Sequence, residues 1–488
     1  MQRLKQLFAP RNMTSGAPWR RILEFAIPML IGNIAQQLYA ATDSVVVGRF
    51  MEQGGGEGVR ALASVGSSGP VLMFMLALFV GISTGAGILV SQYFGAKDRR
   101  MLSITIGNCL TLTAIVSVII GVLGVLLSPA ILRALQTPVA IFEDAVAYLV
   151  IYFIGIAGFT YYNVLSGILR GMGDSFSALG FLLLTSALNI ALDLLFVIVF
   201  KMGVPGVAWA TIISQAISAV LCYVKLSRMR ETFDINRDSV RLHKPIVKDI
   251  VRLGMPSGIT QAIFSMAMIL VQRLQNSFGP DIIAAAVISM RVDGFAMMPN
   301  FSFGMAMTTY TGQNIGAKKL DRVQRGAKQG VFMALGVATL MTISILIFGH
   351  DIMSLFTHQE HVLQLSMRFM RILAPGFIAM AVLQSLSGVM RGAGDAMTPM
   401  WISLITSVGI RVPLAYLLVN LSKSPENGML GNPEMLYYAM LATWMTGALI
   451  NVLAYRFGRW RKKAQLRMAE MASQSEEAAS EVAAADIL

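Results

Sequence analysis

Apolar runs of about 20 residues or more succeed one another along this chain with short polar breaks, and that pattern sets the fold. A helix takes about 20 apolar residues to cross the hydrocarbon core of a bilayer. Six runs lie at about 22–50, 61–94, 104–127, 141–168, 177–200 and 204–226. A polar stretch, 227–248, separates them from six more at about 250–278, 282–316, 331–348, 362–390, 399–421 and 436–457. None alternates strictly, which argues against a membrane barrel. Only 13% of the 488 residues are charged, about half the share in soluble domains. That excludes an ordinary soluble enzyme and a disordered chain. The expected fold is all-α integral membrane, with twelve transmembrane helices in two pseudo-twofold-related six-helix lobes.

Charge orients this layout. If the amino-terminal side of the first span is inside, the inside loops and tails collect the basic clusters: Arg20–Arg21, Lys97–Arg100, Lys225–Arg252, Lys318–Lys328 and Arg456–Arg467. The outside loops hold Arg49, Arg60, Arg133, Lys201 and Lys423. The positive-inside rule then puts both termini of a multi-pass plasma-membrane protein in the cytoplasm. A net charge of +13 needs no nucleic-acid partner. The segments expected are a tail 1–20, a first lobe 21–230, a linker 231–248, a second lobe 249–460 and a tail 461–488, which beyond Ala464 is mobile or weakly helical.

The halves repeat. Leu165-Ser-Gly-Ile-Leu-Arg170-Gly-Met-Gly173-Asp174 returns as Leu386-Ser-Gly-Val-Met-Arg391-Gly-Ala-Gly394-Asp395, and Ser91-Gln-Tyr-Phe-Gly95-Ala-Lys97 returns as Gly312-Gln-Asn-Ile-Gly316-Ala-Lys318. Both pairs share an offset of 221 residues. Two parallel six-span repeats imply a pseudo-twofold axis along the membrane normal. The motifs themselves read as helix ends: Asp174 and Asp395 as caps, Gly171 or Gly173 in a left-handed position, Gly95 and Gly316 as turn formers.

Ionisable groups inside spans are costly, by about 2.5–3.5 kcal/mol at the centre on insertion scales, so the few present are informative. The first half has Asp43 and Asp193; the second has Arg273, Arg291, Asp293 and Arg411. Tyr39 precedes Asp43 by one helical turn and Asn189 precedes Asp193 likewise, so each pair shares a face. Asp193 and Thr211 flank a tight turn and sit about 12 Å below it. Two carboxylates, an amide, a hydroxyl and a phenol therefore have the chemistry of a coupling-ion site. Two close carboxylates share a proton or hold a monovalent cation such as Na+ at Asp43, Asn189, Asp193 and Thr211. The plainer reading makes Asn189, Thr211 and Tyr39 interhelical hydrogen-bond glue. Arg291 and Asp293 are two residues apart, do not face each other, and need partners elsewhere; a structural bridge and a substrate role both stay open. Most of the 33 methionines read as core filler, although several on one wall would suit varied apolar ligands.

Taken together, Pro28, Asp43 with Gly48-Arg49, the Gly95-Ala-Lys97 turn, Leu169-Arg170-Gly171-x-Gly173-Asp174, Asn189-x-x-x-Asp193 and Gly203-Val-Pro-Gly206-Val-Ala-Trp-Ala-Thr211 make the chain resemble the multidrug and toxic compound extrusion (MATE) transporters over about residues 15–460. The resemblance implies a two-lobed antiporter that alternates access and exports small organic, often cationic, compounds in exchange for protons or sodium ions. In the DinF-like branch, the residues matching Asp43, Asn189, Asp193 and Thr211, with Tyr39 alongside, form the first-lobe site. The proline matching Pro28 bends the first helix, and Asn163 matches a further polar position. The seventh span offers Gln261, Gln272 and Gln275 but no acid, which favours the first-lobe mechanism.

The rival is a flippase for a lipid-linked precursor, for which Arg273, Arg291 and Arg411 would supply a cationic cavity. An enzyme is not expected: His243, His350, His358 and His361 form no ligand cluster in the spans. The two cysteines, Cys109 and Cys222, lie in apolar runs without metal spacing. No cofactor is expected beyond the coupling ion, and the expected partners are small organic substrates and the bilayer, around a monomer.

Overall fold

In a bilayer, backbone groups find no water, and a chain of this composition satisfies them internally by folding as helices. The computed structural model describes residues 9–50, 57–357, 359–423 and 430–485, without the side chains of 39–50, 57–62, 70, 74, 76, 475 and 477–485. Every regular element among them is helical. Ten helices are long and apolar enough to cross a membrane, and a bent pair, Val139–Ile154 with Ile156–Gly171, makes an eleventh crossing. The 33-residue helix α1, Pro18–Phe50, completes twelve. The two compact units are not simply the two chain halves. Unit 1 holds residues 1–12 and 31–258; unit 2 holds 13–30 and 259–488. Residues 21–30 thus belong with unit 2 and 249–258 with unit 1, and each changeover falls just beyond a helix-interior proline, Pro28 or Pro256.

Unit 1 contains α2 (Glu57–Ala96), α3 (Arg99–Ala134), α4 (Val139–Ile154), α5 (Ile156–Gly171), α6 (Ser175–Leu194), which continues as a π-turn (Leu195–Val199), α7 (Gly203–Ser227), the short α8 (Arg237–Val240) and the first half of α9 (Lys244–Asn276). The 141–168 run is bent by 51° at Gly155, where the Ile212 side chain of α7 fills the place of a Cβ. The polar stretch after α7 is docked, not loose. Asn108 of α3 donates to the Arg241 carbonyl at 2.9 Å and accepts from the His243 N–H at 2.7 Å. Arg99 pairs with Asp234 at 2.9 Å. What holds the start of α9 in this unit is a glycine seam. Gly81 and Gly85 of α2 face Gly254 and Gly258 of α9, backbone against backbone. Small residues spaced by four allow such approach where lipid gives no hydrophobic drive.

Unit 2 contains α10 (Pro280–Gly316), α11 (Leu320–Ser354), α12 (Glu360–Gly392), α13 (Met397–Leu404), a second π-turn (Ile405–Ile410), α14 (Arg411–Leu421), α15 (Glu434–Phe457) and α16 (Trp460–Ala485). The amino-terminal stretch joins it by packing Ile22, Phe25, Ala26 and Met29 among Phe303, Ala306 and Met307. Polar contacts lock it: the Gln313 side chain accepts from the Met13 N–H at 2.8 Å, and Arg322 donates to the Ser15 carbonyl at 3.0 Å. The carboxy-terminal segment, expected to be mobile or weakly helical beyond Ala464, is helical over Trp460–Ala485 and docked at its start. Trp460 is buried, Arg467 is only 5% exposed, and Lys463 pairs with Asp395 at 2.8 Å.

The repeat survives in three dimensions. Ser83 and Gly87 meet Gly167 and Gly171 in unit 1, and Gly304 and Thr308 meet Gly388 and Gly392 in unit 2, in the same register. Asp174 accepts from the Ser177 N–H (2.9 Å) and hydroxyl (2.7 Å); Asp395 does the same with Thr398 (3.2 and 2.7 Å). Burial pushes the Asp174 carboxyl above its ordinary pKa range, against the Ser177 bonds and the charges of Lys225 and Arg11. Gly173 (φ 83) and Gly394 (φ 90) take the left-handed positions. Gly95 and Gly316 do not: both lie at helix ends, and Lys97 and Lys318 (both φ 58) carry the left-handed turn. Asp395→Ala removes a cap worth about 1 kcal/mol and a charge-assisted bond worth about 1.5–3 kcal/mol. The expected result is a loss of about 3 kcal/mol in denaturant unfolding of the purified protein, with Asp395→Asn recovering about 1 kcal/mol through its retained cap.

Candidate functional site

The strongest polar feature of unit 1 is a seam between α6 and α7. Thr185, Asn189 and Asp193 succeed one another at i, i+4 and i+8, so they stack on one face of α6. Opposite them on α7 stand Thr211 and Ser218, seven residues apart and two turns along the same face. Thr185 and Ser218 share a short hydroxyl–hydroxyl hydrogen bond. One rung outward, the Asn189 amide donates to Thr211 Oγ1 at 3.4 Å, and that hydroxyl donates to the Val207 carbonyl at 3.0 Å. Asn189 and Asp193 are both 0% exposed. The π-turn begins two residues after Asp193. Such wide turns concentrate at functional sites.

The structure thus brings Asn189 and Thr211 into contact, with Asp193 on the same buried face. Tyr39 and Asp43 lie outside the described residues as far as their side chains are concerned. Asn163 turns its amide to its own helix, donating to the Phe159 carbonyl at 2.8 Å, while its backbone carbonyl accepts from Ser83 at 2.7 Å. Pro28 is a buried residue inside α1. Thr185 and Ser218 were not singled out from the sequence, although stepping back four residues at a time from Asp193 reaches Thr185.

In unit 2 the neighbours Arg291 and Asp293 diverge. Arg291 is exposed and lies over the Phe356 ring at 5.7 Å. Asp293 turns inward, and its charge acts on that of Arg411, which is 8% exposed. Arg273 is exposed. A concavity of about 500 Å³, lined by Leu274, Ser277, Tyr416, Asn420 and Lys423 among others, includes none of these charged span residues.

The donor set limits what the seam can hold. Among the described residues no three His, Cys, Asp or Glu side chains gather as a metal site. A carboxylate with amide and hydroxyl oxygens suits a hard monovalent cation or a proton, not a transition metal.

The MatE family model matches residues 28–195 and 256–417. The chain belongs to the MATE family of transporters. The two matched stretches are the two repeats, each entered at a proline, Pro28 or Pro256. MATE relatives match along nearly the whole chain. The probable multidrug resistance protein YoeA of Bacillus subtilis is 27% identical over 96% of this chain and all of its own length. The probable multidrug resistance protein NorM of Thermotoga maritima is 26% identical over 92% of this chain and 94% of its own. A crystal structure of MATE in complex with MaL6 superposes with a TM-score of 0.84 at 25% identity, covering 93% of this chain and 99% of that one. The protein is accordingly a multi-pass membrane transporter of the multidrug efflux type, not an enzyme, with the twelve-helix MATE fold. The flippase reading gains no support from these likenesses.

Proposed function

We propose that the chain exports small organic compounds in exchange for H+ or Na+, and that Asp193 with Asn189 and Thr211, joined by Asp43 and Tyr39 of α1, is the coupling site in the DinF-like manner. The observation that carries this reading is a carboxylate with no exposed surface on a membrane-spanning helix, one turn along the same face from the Asn189 amide that meets the Thr211 hydroxyl. Glue between helices does not need a charge, and burying one costs several kcal/mol. Register supports the partner from α1. Gly32 of α1 is covered by Leu182 of α6. As the first and fifth spans, the two helices run the same way. Position 43 and Asp193 each lie eleven residues beyond that contact, about 16 Å along their axes. The basic clusters on one side of the layout support cytoplasmic placement of both termini, and the bacterial relatives support the plasma membrane.

Ion binding from outside relieves repulsion between the acids, shifts the unit 1 helices and lowers substrate affinity; linkage requires the substrate to lower ion affinity equally. The test is dye efflux from vesicles containing the purified protein, with a sodium gradient and a pH gradient imposed separately. One of the two should accelerate efflux severalfold over the ungraded control. Equal rates with neither, either or both would remove ion coupling from the reading.

A further inference from the structure

The last span of unit 2, α15, ends in a corner that its own residues hold fixed. Gly458 is extended (ψ 173) and stops the helix, and α16 starts two residues later. The Trp460 indole N–H donates to the Tyr455 carbonyl at 2.6 Å, and the two rings stack 5.0 Å apart. Trp460, Ala464, Arg467 and Met471 then bury one face of α16, while Lys463 is tied to Asp395. Left outside are four exposed cations, Arg456, Arg459, Arg461 and Lys462. Among the described residues no acid pairs with any of them. Arg456 lies over the ring of Phe457, which is itself 74% exposed.

This order of charges does not serve the helix. A helix favours acids in its first turn and bases in its last. The first turn of α16 has no acid and holds Arg461, Lys462 and Lys463; no base follows Arg467, where Glu470, Glu476, Glu477 and Glu481 succeed one another. Topology calls for bases on the inside, but not for four left uncovered at a fixed bend beside a bare aromatic ring. Along α15, Met445, Leu449, Leu453 and Phe457 step by four residues towards the corner, and all are exposed. They make an apolar strip about 18 Å long, enough to line the hydrocarbon of one leaflet, about 15 Å deep. We propose that this corner of unit 2 binds an anionic phospholipid, its phosphate among Arg456, Arg459, Arg461 and Lys462 and an acyl chain along the strip. Clusters of bases directly outside a span recognise anionic headgroups in this way. A zwitterionic lipid offers the same chain but brings a cation into the cluster, so head charge sets the preference.

The test needs neither a coupling ion nor a transport substrate. The purified full-length chain in a neutral detergent is titrated with phosphatidylglycerol or with phosphatidylcholine of the same acyl chains, and bound lipids are counted by native mass spectrometry. Each base at an anionic surface is worth about fivefold in binding, so the wild type should prefer phosphatidylglycerol by about tenfold or more. The variant R456Q/R459Q/R461Q/K462Q should lose that preference and bind phosphatidylcholine as before. The variant R228Q/R237Q/K244Q/K248Q, which removes four exposed bases of unit 1, should keep it. Without lipid, the first variant should unfold at or above the wild-type temperature, because its first turn of α16 is relieved of like charge. A wild type with no preference overturns the site. Equal losses in both variants overturn it too, by making the attraction diffuse. So does a first variant that unfolds below the wild type without lipid, which makes the cations structural. Capture of a polyglutamate peptide in place of phosphatidylglycerol assigns the corner to an acidic protein and likewise ends the lipid reading.

Discussion

Asp193→Asn should yield a protein that folds at least as well as the wild type and no longer couples. The side chain is fully buried on α6, and asparagine keeps its size while removing the charge. Sparing that charge offsets up to about 2.5–3.5 kcal/mol, so the unfolding temperature in detergent should hold or rise by a few degrees. Transport should move the other way. Coupling free energies between sites run to about 3 kcal/mol, or roughly 150-fold, and a site without its acid has nothing to switch. Gradient-driven dye efflux should fall about 100-fold while binding of the dye persists. Asn189→Leu, which breaks the 3.4 Å bond to Thr211 but leaves the acid in place, should cost severalfold less. Efflux at the wild-type rate from a well-folded Asp193→Asn protein would return the seam to the status of interhelical glue.

Much of this molecule was readable in its residues because a bilayer leaves few choices. Long apolar runs must become helices, and the repeated Arg-Gly-x-Gly-Asp turns show where helices end. The i, i+4 spacing of Asn189 and Asp193, and the short Lys201–Gly203 turn, located the α6–α7 face without coordinates. Other features had no local signature. A π-turn beside Asp193 or Arg411 leaves no spacing rule, since it depends on what the helix packs against. Gly81-x-x-x-Gly85 and Gly254-x-x-x-Gly258 announce small faces, yet nothing in either names the other as its partner, so residues 249–258 read as the second lobe. The turn after α2 misled for a related reason: glycine normally supplies positive φ, whereas here Lys97 bears it at the turn. The basic run after Arg456 read only as an inside-facing cluster, because the acid that receives Lys463, Asp395, is remote in sequence.

The second large effect is expected at that glycine seam. A Cβ on Gly85 would strike the Ile250 carbonyl oxygen and lie 2.9 Å from the Gly254 backbone; one on Gly81 would meet the Gly254 oxygen at 3.1 Å. Backbone cannot rotate aside as a side chain can, so the helices must part along their crossing, and Pro256 between the two α9 glycines already deprives that helix of one internal bond. Gly85→Ala should therefore destabilise by about 2–3 kcal/mol, the upper range for overpacking. Gly85→Val should prevent recovery of monodisperse protein. Gly81→Ala should cost less, because its contact is looser. Gly69 supplies the control on the same helix: nothing lies within 4 Å of its Cβ position. Gly69→Ala should be neutral or gain up to about 1 kcal/mol from helix propensity. Thermal unfolding of the four variants, followed by fluorescence-detected size exclusion, gives the order directly. If Gly85→Ala unfolds together with Gly69→Ala, the close crossing of α2 and α9 is not what keeps residues 244–258 in unit 1.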